Sequence, residues 1–454
     1  MGAHPRLFGT DGVRGVANSE PITPETALKL ARALAYVLKN PAARHRRILI
    51  GKDTRLSGYM LETAMAAGIC SMGVDVMLVG PLPTPGIAFL TRSMRADAGV
   101  VISASHNHYE DNGIKFFSRD GFKLEDETER RIEQLVFEDR ALEKHRAPAA
   151  DIGKAARIDD ALGRYLVFLK TCVPRTVTFD GLRVVIDCAN GAAYKVGPEA
   201  LEELGADVRA IAVEPDGKNI NLNCGATHID HLRQAMRRER AQVGIALDGD
   251  GDRALLLDEK GELFDGDDVM ALFGSRMAAS GQLAANTVVA TVMSNFGLEL
   301  ALRRAGIRLV RTEVGDPSVV REMRLNSYNL GGEQSGHVVF MNYSTTGDGL
   351  ITALQVLSAM AETQKPLSEL RAMRRVPQVL ENVRVRERLP FTEMPDARRA
   401  IAAAEERLKD NGRLLVRYSG TEMVARVMVE GEDPAMIGAL AREIGAAIRK
   451  HVGA

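Results

Sequence analysis

The chain has 454 residues, enough for about three domains at roughly 150 residues each, and is 45% hydrophobic and 26% charged, an ordinary globular composition. Lys and Arg number 59 against 60 Asp and Glu, a net charge of -1; a nucleic-acid binder, whose binding face is net basic, is not expected. No run approaches the ~18 apolar residues of a membrane span, and Met1-Gly-Ala-His-Pro-Arg6 lacks both the apolar core of a signal peptide and the Ser or Thr of a myristoylation signal.

The four cysteines, Cys70, Cys172, Cys188 and Cys224, are scattered and form no CxxC pair. Cys70 and Cys188 stand in apolar surroundings and read as small core residues. A cytoplasmic enzyme is the expected class.

In chain order, residues 6–15, Arg-Leu-Phe-Gly-Thr-Asp-Gly-Val-Arg-Gly, carry three glycines and no helical period. They read either as an N-terminal loop or as a place where Arg14 and backbone N–H groups approach an anion. Thr23 and Pro24 then open a helix running to about residue 38. Strands at 47–51, 74–79 and 98–102 alternate with helices over 58–72 and from Pro83. Ile114-Lys-Phe-Phe117 reads as a second short strand, a charged helix covers 124–139, and Ala147-Pro-Ala-Ala150 looks like a boundary.

A second unit has a helix near 158–172, strands at 183–187, 208–213 and 243–247, a helix opening after Cys188-Ala-Asn-Gly191 and another at 228–239. A third follows from about 260, with a strand at 287–291 leading through Val292-Met-Ser-Asn295 into a helix. The strand-to-loop-to-helix openings at 47–58, 183–194 and 287–297 echo one another, which suggests three related α/β units in tandem. Beyond Pro366 and Pro377 the pattern changes to a smaller α+β domain, with strands at 378–386, 413–417 and 424–430 and helices at 393–409 and 434–451. The expected domains are 1–152, 153–255, 256–370 and 371–454.

Chemistry concentrates in four stretches. Ser103-Ala-Ser-His-Asn107 follows the buried strand Ala98-Gly-Val-Val-Ile102, and ligands bind at such strand ends in open α/β sheets; Lys115 lies just beyond and offers a proton or a positive charge. Asp248-Gly-Asp-Gly-Asp-Arg253 places three carboxylates at alternate positions between apolar runs, which converge only around a cation, and all-oxygen ligands favour a hard ion such as Mg²⁺. A calcium loop of the EF-hand type is excluded, although Glu259 falls at its twelfth position, because Arg253 stands where that loop needs Gly.

In Gly331-Gly-Glu-Gln-Ser-Gly-His337, Glu333 and Ser335 suit vicinal hydroxyls, although a plain Gly-rich turn fits as well. Thr346-Gly-Asp-Gly349 reads equally as a cap for the helix over 349–361. Arg417-Tyr-Ser-Gly-Thr-Glu422, with Arg426 beyond, combines guanidinium and hydroxyl donors that suit a phosphate, or makes an ordinary hairpin turn.

Together these stretches resemble the α-D-phosphohexomutases over nearly the whole length. The resemblance rests on Phe8-Gly-Thr-Asp-Gly-Val-Arg-Gly15, Ser103 to Asn107, Asp111-Asn-Gly-Ile-Lys115, Asp248 to Arg253, Gly332 to His337 and Arg417 to Glu422, while Gln334 and Asn223-Cys-Gly-Ala-Thr-His228 point to the glucosamine branch. It implies four domains around a central cleft, one catalytic loop from each. Ser105 would be the phosphoserine, and Asp248, Asp250 and Asp252 would hold Mg²⁺ together with the phosphate on Ser105. Lys115 would act as acid/base, with His106 and Arg14 beside it. Glu333, Ser335 and His337 would read the sugar, and Arg417, Ser419, Gly420, Thr421 and Arg426 would hold the distal phosphate.

The implied reaction interconverts glucosamine 6-phosphate and glucosamine 1-phosphate through glucosamine 1,6-bisphosphate, which also serves as activator, and feeds UDP-N-acetylglucosamine and cell-wall precursor synthesis. The expected partner is a small phosphosugar, with no nucleic acid and no membrane; a homodimer is compatible with the sequence. The rivals are a phosphoglucomutase/phosphomannomutase of the same fold and a non-catalytic phosphosugar-binding protein. A serine hydrolase is disfavoured because Ser105 lacks the Gly-x-Ser-x-Gly elbow.

Three positions depart from the family pattern. His108 and Met423 replace prolines, which loosens two loops, and Gly315-Asp-Pro317 replaces Gly-Asp-Arg, a lost charge for which Arg311 is the candidate substitute.

Overall fold

The computed structural model describes residues 6–38, 46–138, 140–419 and 422–454. Its first sheet holds β1 (Val13–Val16), β2 (Arg47–Lys52), β3 (Asp75–Pro81), β4 (Ala98–Ile102), β5 (Asp111–Ser118) and β6 (Ala155–Arg157), in the order β1-β5-β4-β2-β3-β6. β2 and β4 are rich in β-branched and aliphatic residues and nearly wholly buried, as strands covered by helices on both faces must be. The helix Pro24–Val37 begins where expected: the Thr23 side chain accepts from the Thr26 N–H, and Pro24 occupies the first turn.

The second sheet, β7 (Arg183–Asp187), β8 (Asp207–Ile211), β9 (Val243–Leu247), β10 (Ala254–Leu257) and β11 (Leu263–Phe264), runs β11-β10-β9-β7-β8. The third, β12 (Thr287–Thr291), β13 (Arg308–Thr312), β14 (Leu330–Gly332) and β15 (Val338–Phe340), runs β13-β12-β14-β15. The three openings that echo in the sequence lead from β2, β7 and β12. Each of these strands has a parallel neighbour on both sides, and one neighbour turns back as an antiparallel hairpin: β4 to β5, β9 to β10, β14 to β15. The tandem relation is therefore one of topology, strand for strand.

Unit four is an antiparallel sheet, β16 (Gln378–Arg384), β17 (Gly412–Tyr418) and β18 (Val424–Gly431), in the order β16-β18-β17, backed by the helices Pro395–Leu408 and Pro434–Val452. The α/β class with a C-terminal α+β domain is thus observed. One continuous apolar core runs through units one, two and three, from Leu49 through Val184 and Val288 to Met373, whereas the fourth unit packs its own core around Val427 and Ile444.

Several sequence expectations need adjustment. Beyond Ala147–Ala150 the chain stays with the first unit, because Ala155–Arg157 extends its sheet alongside β3. Past the expected limit at 255, β10 and β11 complete the second sheet. The helix expected right after residue 191 starts only at Val196, because Ala189 and Asn190 adopt φ of 54° and 49° and turn the chain first. Asp348 does cap the helix Gly349–Thr363, accepting from the Ile351 N–H at 3.0 Å. Cys188 is buried as expected, but Cys70 is only half-buried. No described helix is long and apolar enough to cross a membrane.

Candidate active site

Because three units share one topology, their β-hairpin loops occupy equivalent places: residues 103–110 between β4 and β5, 248–253 between β9 and β10, and 333–337 between β14 and β15. Three of the four chemistry-bearing stretches of the sequence are these loops, and the fold brings them together.

Ser105 is buried and adopts φ of 52°, a left-handed conformation that non-glycine residues avoid at a cost of about 1–2 kcal/mol. Neighbouring groups hold it there. The Ser103 hydroxyl accepts from the Ser105 N–H at 2.9 Å and donates to Asp53 at 2.5 Å. Arg55 Nη2 and Asn221 Nδ2 each donate to the carbonyls of both Ser105 and Asn107, all at 2.9 Å. Gly249 is required beneath: a Cβ there would stand 2.6 Å from the Ser105 carbonyl oxygen. The hydroxyl so presented donates to Asp248 Oδ2 at 2.7 Å and lies 3.4 Å from His106 Nδ1. Burial, with help from Arg253 and Arg14, lowers the His106 pKa to about 4, so this ring is neutral near pH 7.

Asp248, Asp250 and Asp252 offer carboxylate oxygens that all lie within 4.8 Å of one another, and all three are buried. Burial and mutual repulsion raise the pKa values of Asp248 and Asp252. Asp250 moves the other way: burial opposes its ionisation, but the Lys115 ammonium and a hydrogen bond from Thr84 outweigh it. Among the described residues, Asp250 Oδ1 and Asp252 Oδ1 have no hydrogen-bond partner although they are buried. Orphaned carboxylate oxygens converging beside a serine hydroxyl fit a hard divalent cation, whose charge would remove the repulsion.

Lys115 is buried, with Nζ 3.0 Å from both Asp11 Oδ2 and Asp250 Oδ2 and 3.9 Å from Asp252 Oδ2. Burial disfavours its charge, but the three carboxylates prevail and its pKa is raised. Asp11 also pairs with Arg14 and Lys123, and Lys123 reaches across to Asp316 of the third unit. His337 Nε2 lies 3.8 Å from Asp316 Oδ2 and 3.9 Å from Asp252 Oδ2, too far for hydrogen bonds, and neither ring nitrogen has a hydrogen-bond partner among the described residues. Glu333 Oε1 accepts from the Gly315 N–H at 3.1 Å. A cavity of about 420 Å³ opens here between Thr10, Arg14, Arg253, Gly315, Asp316 and Glu333. Ser335 is exposed at its loop's tip.

Residues of the fourth unit are absent from that cavity's described lining. Arg417 and Arg426 are cross-strand neighbours; Arg417 reaches Met293 Sδ, and Arg426 pairs with Glu422 at 2.8 Å. Burial and the second guanidinium lower the Arg417 pKa, a setting that favours an anion. Ser419 is buried, its hydroxyl 3.4 Å from the Glu422 N–H. Gly420 and Thr421 lie outside the described residues.

Sequence reasoning missed Arg55, Asp53, Asn221, Thr84, Asp11, Lys123 and Asp316. For Arg55 and Asp53 the signal was available, since Lys52-Asp-Thr-Arg55 ends the central strand of the first unit. Asp11 and Asp316 lie in the Phe8–Gly15 and Gly315–Pro317 stretches, where sequence alone gives them no role, and Asn221, Thr84 and Lys123 enter only through tertiary contact. Their presence also explains how the loop does without proline at exposed His108: Arg55 and Asn221 fix it through two carbonyls. Arg311 does not replace a lost charge at Pro317. Its guanidinium is engaged by the Thr291 and Ser294 carbonyls and by Glu299, where it ties down the 292–295 turn.

Comparison with known proteins agrees with this geometry. Family descriptions of phosphoglucomutase/phosphomannomutase match in four consecutive pieces: α/β/α domain I over residues 5–143, domain II over 164–261, domain III over 265–376 and the C-terminal domain over 380–447. The chain belongs to the phosphoglucomutase/phosphomannomutase family, the α-D-phosphohexomutases, and so is a mutase of the isomerase class. The phosphoglucosamine mutase of Syntrophotalea carbinolica is 58% identical over 449 residues, covering 99% of this chain and 98% of that protein. Among the family's branches, this chain's place is with the phosphoglucosamine mutases. Two solved structures share the fold: a phosphoglucomutase/phosphomannomutase family protein from Burkholderia thailandensis (22% identity, TM-score 0.81, 98% and 97% of the two chains) and an Aspergillus fumigatus N-acetylphosphoglucosamine mutase in complex with GlcNAc-6P and magnesium (18%, 0.65, 98% and 96%).

Proposed function

We propose that this chain interconverts glucosamine 6-phosphate and glucosamine 1-phosphate, with Ser105 as the phosphoryl carrier. The observation that carries this reading is the Ser105 hydroxyl, held in a strained backbone and aimed at Asp248 of the buried carboxylate triad. The nearly full-length identity to a phosphoglucosamine mutase supports the choice of sugar.

In the first half-reaction the O1 hydroxyl of glucosamine 6-phosphate attacks phosphorus on phospho-Ser105. The O1–P bond forms, the P–Oγ bond breaks, and the hydroxyl proton ends on Oγ. Lys115, charged and locked between Asp11 and Asp250, carries positive charge beside the transferred group, gives a proton to the departing Oγ and regains one from the O1 hydroxyl. Glucosamine 1,6-bisphosphate then turns in the cleft. Ser105 Oγ attacks the phosphorus on O6, the P–Oγ bond forms as the O6–P bond breaks, the Oγ proton passes to O6, and glucosamine 1-phosphate leaves. Added bisphosphate primes unphosphorylated enzyme by the same second step.

Asp248, Asp250 and Asp252, with the phosphate on Ser105, would hold Mg²⁺, which supplies charge neutralisation for the phosphoryl oxygens. Glu333, Ser335 and His337 face the sugar, and Arg14 and neutral His106 flank the reacting phosphate. Arg417, Ser419, Gly420, Thr421 and Arg426 grip the other phosphate when the fourth unit closes and excludes water. The expected setting is the cytoplasm, upstream of amino-sugar nucleotide and cell-wall precursor synthesis.

The test is turnover of glucosamine 6-phosphate against glucose and mannose 6-phosphates by the purified chain and by its Ser105→Ala variant. Preference for the amino sugar and an inactive variant support the proposal. Preference for glucose or mannose would move the chain to the neighbouring branch, and a fully active Ser105→Ala enzyme would overturn the carrier role.

A further inference from the structure

Lys123 lies outside every motif that carries the family resemblance, yet it occupies a junction. Its ammonium pairs with Asp11 Oδ1 of the first unit and with Asp316 Oδ2 of the third. The other oxygen of Asp11 pairs with Lys115 and Arg14. Asp316 follows Gly315, whose N–H is held by Glu333. One continuous chain of contacts thus runs Lys115–Asp11–Lys123–Asp316–Gly315–Glu333, from the proton carrier to the sugar reader, across the joint between the first and third units. Around Lys123, among the described residues, the units are further joined by a hydrogen bond from Thr345 Oγ1 to the Gly121 carbonyl at 2.5 Å, by Arg324 over the Phe122 ring, and by longer, exposed pairs such as Arg321 with Asp126 at 3.5 Å.

We propose that Lys123 is a positioning residue for the mutase reaction: through Asp11 and Asp316 it sets Lys115 and Glu333 in one register. The inference rests on the mutase reading above and adds a residue that touches neither the reacting phosphoryl group nor the carboxylate triad. Two carboxylates from different units converge on one ammonium with little water access, so removing that ammonium leaves Asp11 and Asp316 repelling each other across the joint. Both loops shift, and misplacement of reacting groups by about 1 Å costs roughly a hundredfold in rate.

The experiment measures kcat and KM for glucosamine 6-phosphate, with saturating glucosamine 1,6-bisphosphate, in Lys123→Met, Asp316→Asn and Glu333→Gln and in the double variant Lys123→Met/Glu333→Gln. Melting temperatures verify folding, and intact mass reports phosphate on Ser105. The expected result is a lower kcat and a higher KM in both Lys123→Met and Asp316→Asn, with Ser105 still phosphorylated. The double variant should lose less than the product of the single losses, because both act on one loop; a purely structural role gives independent losses. Wild-type kinetics in a folded Lys123→Met protein, or strictly multiplicative losses, would overturn the proposal. If Lys123→Met does not fold, Asp316→Asn and the double variant Asp316→Asn/Glu333→Gln decide by the same two criteria. Failure of the mutase reading itself would appear elsewhere, as absent phosphate on Ser105 in the unsubstituted protein.

Discussion

Asn221 Nδ2 lies 2.9 Å from the carbonyl oxygen of Ser105, so the second unit holds the backbone of the serine that the first unit supplies. The same amide holds the Asn107 carbonyl, and buried Arg55 duplicates both contacts from the first unit. Asn221→Ala leaves two buried carbonyls with one donor fewer, at a cost of about 1–3 kcal/mol. The expected outcome is a kcat reduced about ten- to a hundredfold with KM little changed, since the loop that loosens carries the phosphoryl group and not the sugar site. Steady-state kinetics verify this.

Gly249→Ala is predicted to be more damaging than its size suggests. The added methyl would stand 2.6 Å from the Ser105 carbonyl oxygen and 2.7 Å from Asn221 Nδ2, and both are fixed by the contacts just described. Overpacking of this kind costs typically about 1–3 kcal/mol. The variant should melt at a lower temperature and lose most of its turnover, whereas Gly163→Ala, with nothing within 4 Å of the new methyl, should do neither.

The carboxylate triad predicts a metal-dependent stability. A cation bound to the folded chain alone stabilises it by about 2.7 kcal/mol at a hundred times its Kd. Mg²⁺ should therefore raise the melting temperature, and chelation should abolish turnover reversibly. In Asp252→Asn the melting temperature should no longer respond to Mg²⁺, and relief of the repulsion within the triad should raise the metal-free value.

Asp348, whose neighbour Gly349 donates to the Gly251 carbonyl of the metal loop at 3.0 Å, gives stability a pH dependence. Burial raises its pKa from 3.8 to about 6, despite the Ile351 N–H and the Tyr165 hydroxyl that donate to it. The folded chain therefore binds more protons than the unfolded chain between those values. Stability consequently falls as pH rises through this window, by at most about 3 kcal/mol from this one group. Asp348→Asn keeps Oδ1 for the Ile351 N–H and sets its amide NH2 against the Tyr165 hydroxyl, which can turn to accept, so it should raise the melting temperature at pH 8 and change it little below pH 4. Equal shifts at both pH values would refute this.

How much of this was legible beforehand follows from where each signal resides. β2, β7 and β12 could be read because buried parallel strands are short, continuous and β-branched. The helix start at Thr23-Pro24 was equally plain, because capping is local. Asp248, Asp250 and Asp252 announced themselves by alternation between glycines. Asn221 and Lys123 could not be read in this way, because each acts on a residue more than one hundred positions distant in sequence and has no local pattern of its own. Ser105 was recognisable as a residue, but its positive φ was not, since the strain is imposed by Arg55, Asn221 and Gly249 acting together. Arg311 misled for the complementary reason: a charge near a missing charge looks compensatory until its carbonyl partners are seen.

The measurement that bears most directly on the central claim is transfer of labelled phosphate from glucosamine 1,6-bisphosphate to the protein, followed by mapping of the labelled residue. The account predicts one label per chain, on Ser105, lost when glucosamine 6-phosphate is added and absent in Ser105→Ala. Label on another residue, or sustained mutase turnover with Ser105 never labelled, would contradict it.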